Sequence, residues 1–102
     1  MANWIRVGHA SEIPIGAGRV YDTGGCVVAI FNLEGAFHAI DNTCLHRGGP
    51  LGEGALEGKI VTCHLHFWQY DVTTGKTTVS DEMGVKKYAL EVRGEDLFVD
   101  LG

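Results

Sequence analysis

The chain has 102 residues, enough for one domain with a modest core. Thirteen acidic against eight basic side chains give a net charge of −5, and with no basic patch in view nucleic acid is not an expected partner. An acidic surface is instead steered toward basic docking surfaces. Hydrophobic residues make up 45% and there are 15 glycines, a composition that suits a turn-rich β protein. No apolar run reaches membrane-spanning length. Met1-Ala2-Asn3-Trp4 lacks the charged-then-apolar pattern of a signal peptide.

Trp4 to Val7 reads as a first short strand, and His9 to Gly18 as a loop in which Pro14 holds the chain extended. Arg19 to Asp22 is a second strand, turned at Thr23-Gly24-Gly25 into Cys26–Asn32, the most apolar run and the expected centre of a sheet. Leu33-Glu34-Gly35 turns it back into Ala36–Asp41, where alternation puts Phe37 and Ala39 on one face and His38 and Ile40 on the other. Further strands are expected at Lys59–Thr62 and Phe67–Val72, followed by a turn at Thr73-Thr74-Gly75-Lys76. Tyr88–Val92 and Leu97–Leu101 close the chain as a hairpin through Arg93-Gly94-Glu95-Asp96. Short strands at close spacing, with no helical period longer than a turn or two, predict an all-β fold: a small antiparallel β-sandwich or barrel.

The chemistry lies between the fourth and sixth of these strands. Cys44-Leu45-His46 and Cys63-His64-Leu65-His66 are separated by 16 residues that include Arg47-Gly48-Gly49-Pro50-Leu51-Gly52-Glu53-Gly54. Two thiols and two imidazoles at such short local spacings form a candidate four-ligand metal site: Cys44, His46, Cys63 and His66. A structural zinc ion accepts this donor set, and so does an iron–sulfur centre. Zinc fingers usually pair Cys with Cys and His with His, whereas each pair here mixes the two. Cys26 is the odd cysteine and is expected to be a buried small hydrophobe; unpaired cysteine usage points to a reducing, cytoplasmic compartment.

The segments CLHRGGPLGEG and CHLHFWQYDVTTG resemble the cluster loops of Rieske ferredoxins. The resemblance is strongest over residues 44–75 and extends in strand pattern over nearly the whole chain. It implies one Rieske-type [2Fe–2S] cluster in a single Rieske domain, with a cluster-binding lobe of about residues 43–69 inserted in a basal β domain. Cys44 and Cys63 would bind the inner iron, and His46 and His66 the outer iron. Gly48 and Gly49 would bring backbone N–H groups close to the cluster sulfides. His64 stands where the family usually has Pro, and the Cys-x-x-His register favours His66 over it. Gly49 and Leu65 stand where respiratory Rieske proteins have a disulfide pair, so that bridge is absent.

Trp68 replaces the serine that donates to a cluster sulfur in those respiratory proteins, while Tyr70 keeps a hydroxyl that can approach a ligand sulfur. Fewer donors imply a potential toward the lower end of the roughly −150 to +300 mV Rieske range. Leu45, Pro50, Leu65 and Trp68 are candidates for an apolar rim around the cluster, with Arg47 beside it and Glu53, Glu57, Asp81 and Glu82 as surrounding acids. Between Val79 and Tyr88 no proline stands where many family members have one, and Met83 is a candidate to cover the cluster. His9 and His38 belong to no motif and are read as structural.

The resemblance implies an electron carrier without turnover of its own. It would pass single electrons from an NAD(P)H-dependent flavin reductase to a terminal oxygenase of the aromatic-ring-hydroxylating type, through transient protein–protein contacts. A monomer suits that shuttle. Two other readings remain: a small subunit of an assimilatory nitrite reductase, and a zinc-stabilised interaction module.

Overall fold

The structure is a computed structural model and describes residues 3–24, 26–42, 51–63, 68–78 and 82–101. Six strands make one antiparallel sheet in the order β1-β9-β8-β4-β3-β2: β1 Trp4–His9, β2 Gly18–Asp22, β3 Val27–Leu33, β4 Ala36–Asp41, β8 Lys87–Arg93 and β9 Asp96–Asp100. Its edge strands β1 and β2 touch, so the sheet curls into a half-barrel. The second sheet has three antiparallel strands: β5 Ala55–Glu57, β6 Ile60–Thr62 and β7 Gln69–Asp71.

The run from Val27 to Leu33 is apolar on both faces because it is covered on both. Val28 and Ile30 point into one core layer with Ile13, Ala39, Tyr88, Leu97 and Val99. Ala29 and Phe31 point the other way and meet Ile40, Leu51, Val61, Cys63, Tyr70 and Val72. The first layer fills the curl of the large sheet; the second glues the small sheet to its back. Removing this apolar surface from water drives both contacts, at about 25 cal/mol per Å². β4 divides as its alternation predicts, with Phe37 and Ala39 in the first layer and Ile40 in the second.

Tight turns fix the registers. In β3–β4, Leu33 pairs with Ala36 across the two-residue turn Glu34-Gly35, whose φ angles are 54° and 99°. Both central residues of such a turn lie in the left-handed region, which suits the twist of the flanking strands. The side chain of Asn32 accepts from the Gly35 amide at 2.8 Å. In β5–β6, Glu57 pairs with Ile60 across Gly58-Lys59.

Four details differ from the sequence reading. β3, expected at the centre of a sheet, lies next to the edge strand β2. β1 runs on to His9, and the expected loop begins with a single 3-10 turn, Ala10–Glu12. The Glu12 carboxylate accepts from the His9 amide at 2.9 Å, and the His9 ring accepts from the Ser11 amide at 3.3 Å. Strand β5 has no counterpart in the reading, because its three residues sit between glycines. Cys26 is half-buried rather than buried: it packs beside the first layer, and Tyr88 donates to its sulfur at 3.7 Å.

Candidate metal centre

Of the four candidate ligands, Cys63 is described; Cys44, His46 and His66 lie outside the described residues, as do Gly48, Gly49 and His64. What the structure shows is the platform from which the two motif segments leave and to which they return. β6 delivers Cys63 directly after Thr62, and Cys63 is wholly inaccessible to solvent. Its amide donates to the Trp68 carbonyl at 2.7 Å, which closes the base of the second segment. One step further down, Thr62 pairs with Gln69, whose side-chain amide donates to the Thr62 hydroxyl at 3.3 Å.

The first segment is closed in the same manner. The Leu51 amide donates to the Asn42 carbonyl at 2.7 Å, and the Gly52 amide donates to the Asn42 side-chain oxygen at 2.8 Å. Asn42 therefore holds the returning chain with both its acceptors, and it is buried. Sequence reasoning missed it. The available signal was an Asn at the end of a strand, where its side chain commonly bonds to nearby backbone.

The two bases are adjacent. After the short turn Leu51–Glu53, Gly54 lies so close to the Thr62 carbonyl that a Cβ there would collide with it. Ala55 then pairs with Thr62 as the first rung of β5–β6. Leu51, at the end of one segment, and Cys63, at the start of the other, belong to one buried layer.

Tyr70 shares that layer, fully buried, and pairs with Val61 on β6 and with Thr77. Trp68 is half-buried and packs against the layer's edge. The chain after residue 81 returns along this region: Thr77 donates to the Met83 carbonyl at 2.8 Å and Val85 to the Gly75 carbonyl at 2.7 Å. Met83 itself is 38% exposed. Glu53, Glu57 and Glu82 are exposed; Leu45, Arg47, Pro50, Leu65 and Asp81 lie outside the described residues.

The other histidines have structural surroundings. His9 caps the 3-10 turn, and its second ring nitrogen lies 3.3 Å from Glu95. His38 lies half-buried on β4; burial first, and Lys87 second, hold its pKa below the ordinary value against an opposing pull from Asp71. At the far end of the small sheet, Asp71 accepts from the Thr73 amide and hydroxyl and meets Lys59 at 3.3 Å. Burial raises its pKa, but those bonds outweigh burial and hold it below the usual carboxylate value.

As a candidate ligand, Cys63 would set the chemistry of the inner side of the site. A thiolate shut into an apolar layer needs compensating positive charge, and a metal centre supplies it. The described part of the donor set thus fits a thiolate-ligated centre with a dry inner face and two closely spaced loop bases.

Comparison with known proteins identifies the centre. The family described as Rieske [2Fe-2S] domain matches residues 3–89. The ferredoxin component of the naphthalene 1,2-dioxygenase system of Pseudomonas aeruginosa is 31% identical over 99 residues, 96% of this chain and 95% of that protein. The biphenyl dioxygenase ferredoxin subunit of Pseudomonas sp. strain KKS102 is 35% identical over 91 residues, 87% and 84% of the two chains. Among solved structures, a chain in a complex of reduced oxygenase and oxidized ferredoxin in carbazole 1,9a-dioxygenase superposes with a TM-score of 0.85 at 27% identity. That match covers 95% of this chain and 92% of the other.

Proposed function

The chain belongs to the Rieske [2Fe–2S] family, and on that premise we propose how it works as a ferredoxin in a multicomponent oxygenase system. It is an electron carrier with one Rieske-type cluster. The carrying observation is that the chain and the ferredoxin components of aromatic dioxygenase systems align over nearly the whole of both.

In this reading Cys44 and Cys63 bind one iron as thiolates, and His46 and His66 bind the other through one ring nitrogen each. The cluster, when bound, takes up and gives back one electron. The chain's residues decide where and how readily. The buried side at Cys63 excludes water, which favours the less charged state of the centre. Neutral imidazole ligands place less negative charge on the cluster than thiolates and raise its potential above that of an all-Cys cluster. Gly48 and Gly49 let backbone amides approach the sulfides, Trp68 borders the site, and Tyr70 stands behind the Cys63 strand.

The cluster-bearing lobe of about residues 43–69 includes β5 and β6 and rests on the large sheet through Phe31, Ile40 and Leu51. Its transient partners are a flavin reductase that receives electrons from NAD(P)H and a terminal ring-hydroxylating oxygenase. The chain acts as a cytoplasmic monomer and turns over no substrate alone.

The test is spectroscopic. Anaerobically purified protein is expected to be coloured, to carry two irons and two acid-labile sulfides per chain, and to give a rhombic EPR signal on reduction. Replacing His46 or His66 by Cys should convert that signal toward an all-thiolate type. Colourless protein with one zinc per chain would overturn the reading. Reconstitution with a reductase and a ring-hydroxylating oxygenase then tests the circuit: hydroxylation should require all three proteins.

A further inference from the structure

Asn42, the residue after β4, holds both ends of the segment that carries Cys44 and His46. Its amide donates to the Val27 carbonyl at 3.1 Å, which seats the departing chain beside the first residue of β3. Its carbonyl accepts from the Leu51 amide at 2.7 Å, and its side-chain oxygen accepts from the Gly52 amide at 2.8 Å, which seats the returning chain. Each of these three partners lies outside residues 43–50, so these bonds do not depend on a bound centre.

The returning turn is wedged as well as bonded. A Cβ on Gly52 would stand 2.5 Å from Val20 Cγ2, 3.1 Å from the Asn42 side-chain oxygen and 3.3 Å from the Arg19 backbone. Val20 and Arg19 belong to β2, so the turn is caught between that strand and the end of β4. Leu51 is sunk in the layer that holds Phe31 and Ile40. Asn42 is only 8% exposed, and Gly52 is buried with it. Removing the side-chain oxygen would leave the Gly52 amide without that acceptor where water hardly reaches, and a buried donor left unpaired is costly.

The two motif segments are closed by different means. The second returns through the main-chain pair of Cys63 and Trp68, which continues the β6–β7 ladder. The first returns to a single 3-10 turn rather than to a strand, and there the Asn42 side chain supplies the second bond that a ladder would have supplied.

We propose that Asn42 is a positioning residue for electron carriage. Acting through Leu51 and Gly52, it fixes the Cys44–His46 segment against the large sheet, so that both side chains keep one placement before and after the electron arrives. This rests on the carrier reading, in which Cys44 and His46 are ligands. Residues that orient ligands without touching a metal govern how tightly it is held and its potential. A site keeps its geometry only as well as its supporting bonds allow. Without the clamp the first segment yields at each change of oxidation state, and the cluster is both easier to lose and electronically altered.

The test uses the full chain with its cluster. Asn42→Ala removes the side-chain acceptor, and Asn42→Asp keeps an oxygen at the same reach. Val99→Ala, in the other core layer, lowers stability away from the clamp. Iron release to excess EDTA is followed with each protein held equally far below its own Tm. Release is expected about tenfold faster in Asn42→Ala than in the parent, and close to the parental rate in Asn42→Asp and Val99→Ala. Reduced Asn42→Ala is also expected to show displaced EPR g values and a shifted midpoint potential, while Val99→Ala keeps the parental values of both.

Parental release, g values and potential in Asn42→Ala overturn the proposal. So does a Val99→Ala protein that matches Asn42→Ala, which assigns the effect to general destabilisation, or an Asn42→Asp protein that releases iron as fast as Asn42→Ala. If Asn42→Ala purifies without its cluster, Asn42→Ser, whose hydroxyl is one bond shorter, enters the same comparison with the same outcomes. Failure of the carrier reading is seen separately, as a colourless parent protein without an EPR signal on reduction.

Discussion

The amide of Cys63 donates to the carbonyl of Trp68 at 2.7 Å, so the chain leaves β6 and rejoins β7 through one hydrogen-bonded pair. The candidate ligand position at Cys63 is thereby fixed by the sheet beneath it. Cys63→Ser keeps the size of the side chain and removes the thiolate. The variant is expected to purify without visible absorbance and with an apparent Tm lower by ~10 °C or more, because a bound metal centre contributes to folding. Iron content, the visible spectrum and thermal unfolding check it. A coloured variant with an unchanged EPR signal would remove Cys63 from the ligand set.

Gly54 meets the Thr62 carbonyl where the ends of the two motif segments lie side by side. The obstacle to a larger residue is backbone, which has no rotamer to yield. Gly54→Ala is therefore expected to push β5 away from β6 at a cost of about 1–3 kcal/mol, and to speed loss of the cluster. Denaturant unfolding gives the first quantity and the decay of visible absorbance under air gives the second. Gly58→Ala is a poorer probe of the same hairpin, because φ 59° makes any side chain there strained regardless of space.

The contrast between β3 and β5 shows what the sequence disclosed. The run Val27–Leu33 is long, β-branched and apolar, and its place at the junction of two core layers follows from that pattern. Ala55–Glu57 has no pattern, since its pairing with β6 is imposed by the Gly58-Lys59 turn and by the closeness of Gly54 to Thr62. The candidate ligand residues and their spacing were legible at residues 44–66. The hold of Asn42 on Leu51 and Gly52 was not, because it depends on a side chain reaching across ten residues of chain to the returning backbone. Likewise, nothing local to Ile15 announces that Glu34 and Gly58 line the same groove. Periodicity reports faces of strands; it does not report which turns meet.

His38 makes stability depend on pH. Burial, and then Lys87, lower its pKa from the ordinary 6.5. Between the folded value and 6.5 the unfolded chain binds more protons than the folded one, so stability is highest above that window and falls as pH drops through it. His38→Gln should leave Tm at about pH 7.5 nearly unchanged and flatten its decline toward about pH 5.5. Parallel thermal scans of the two proteins isolate His38 from the candidate ligands His46 and His66, which both proteins retain. Identical slopes would assign the acid sensitivity elsewhere.

Tyr70 is fully buried in the layer that holds Cys63, and it pairs with Val61 on the strand that leads to that candidate ligand. Tyr70→Phe keeps the ring in this packing and deletes the hydroxyl alone. If the hydroxyl donates to a sulfur at the cluster, it stabilises the more negative, reduced state by about 1 kcal/mol. For a one-electron couple that corresponds to roughly 40 mV. The expected result is a midpoint potential lower by that amount, with the EPR line shape of a His/Cys-ligated cluster retained. Direct electrochemistry at several pH values measures it and separates the hydroxyl from the imidazole ligands. An unchanged potential beside a lowered Tm would mean that the hydroxyl bonds within the core and that the ring serves packing alone.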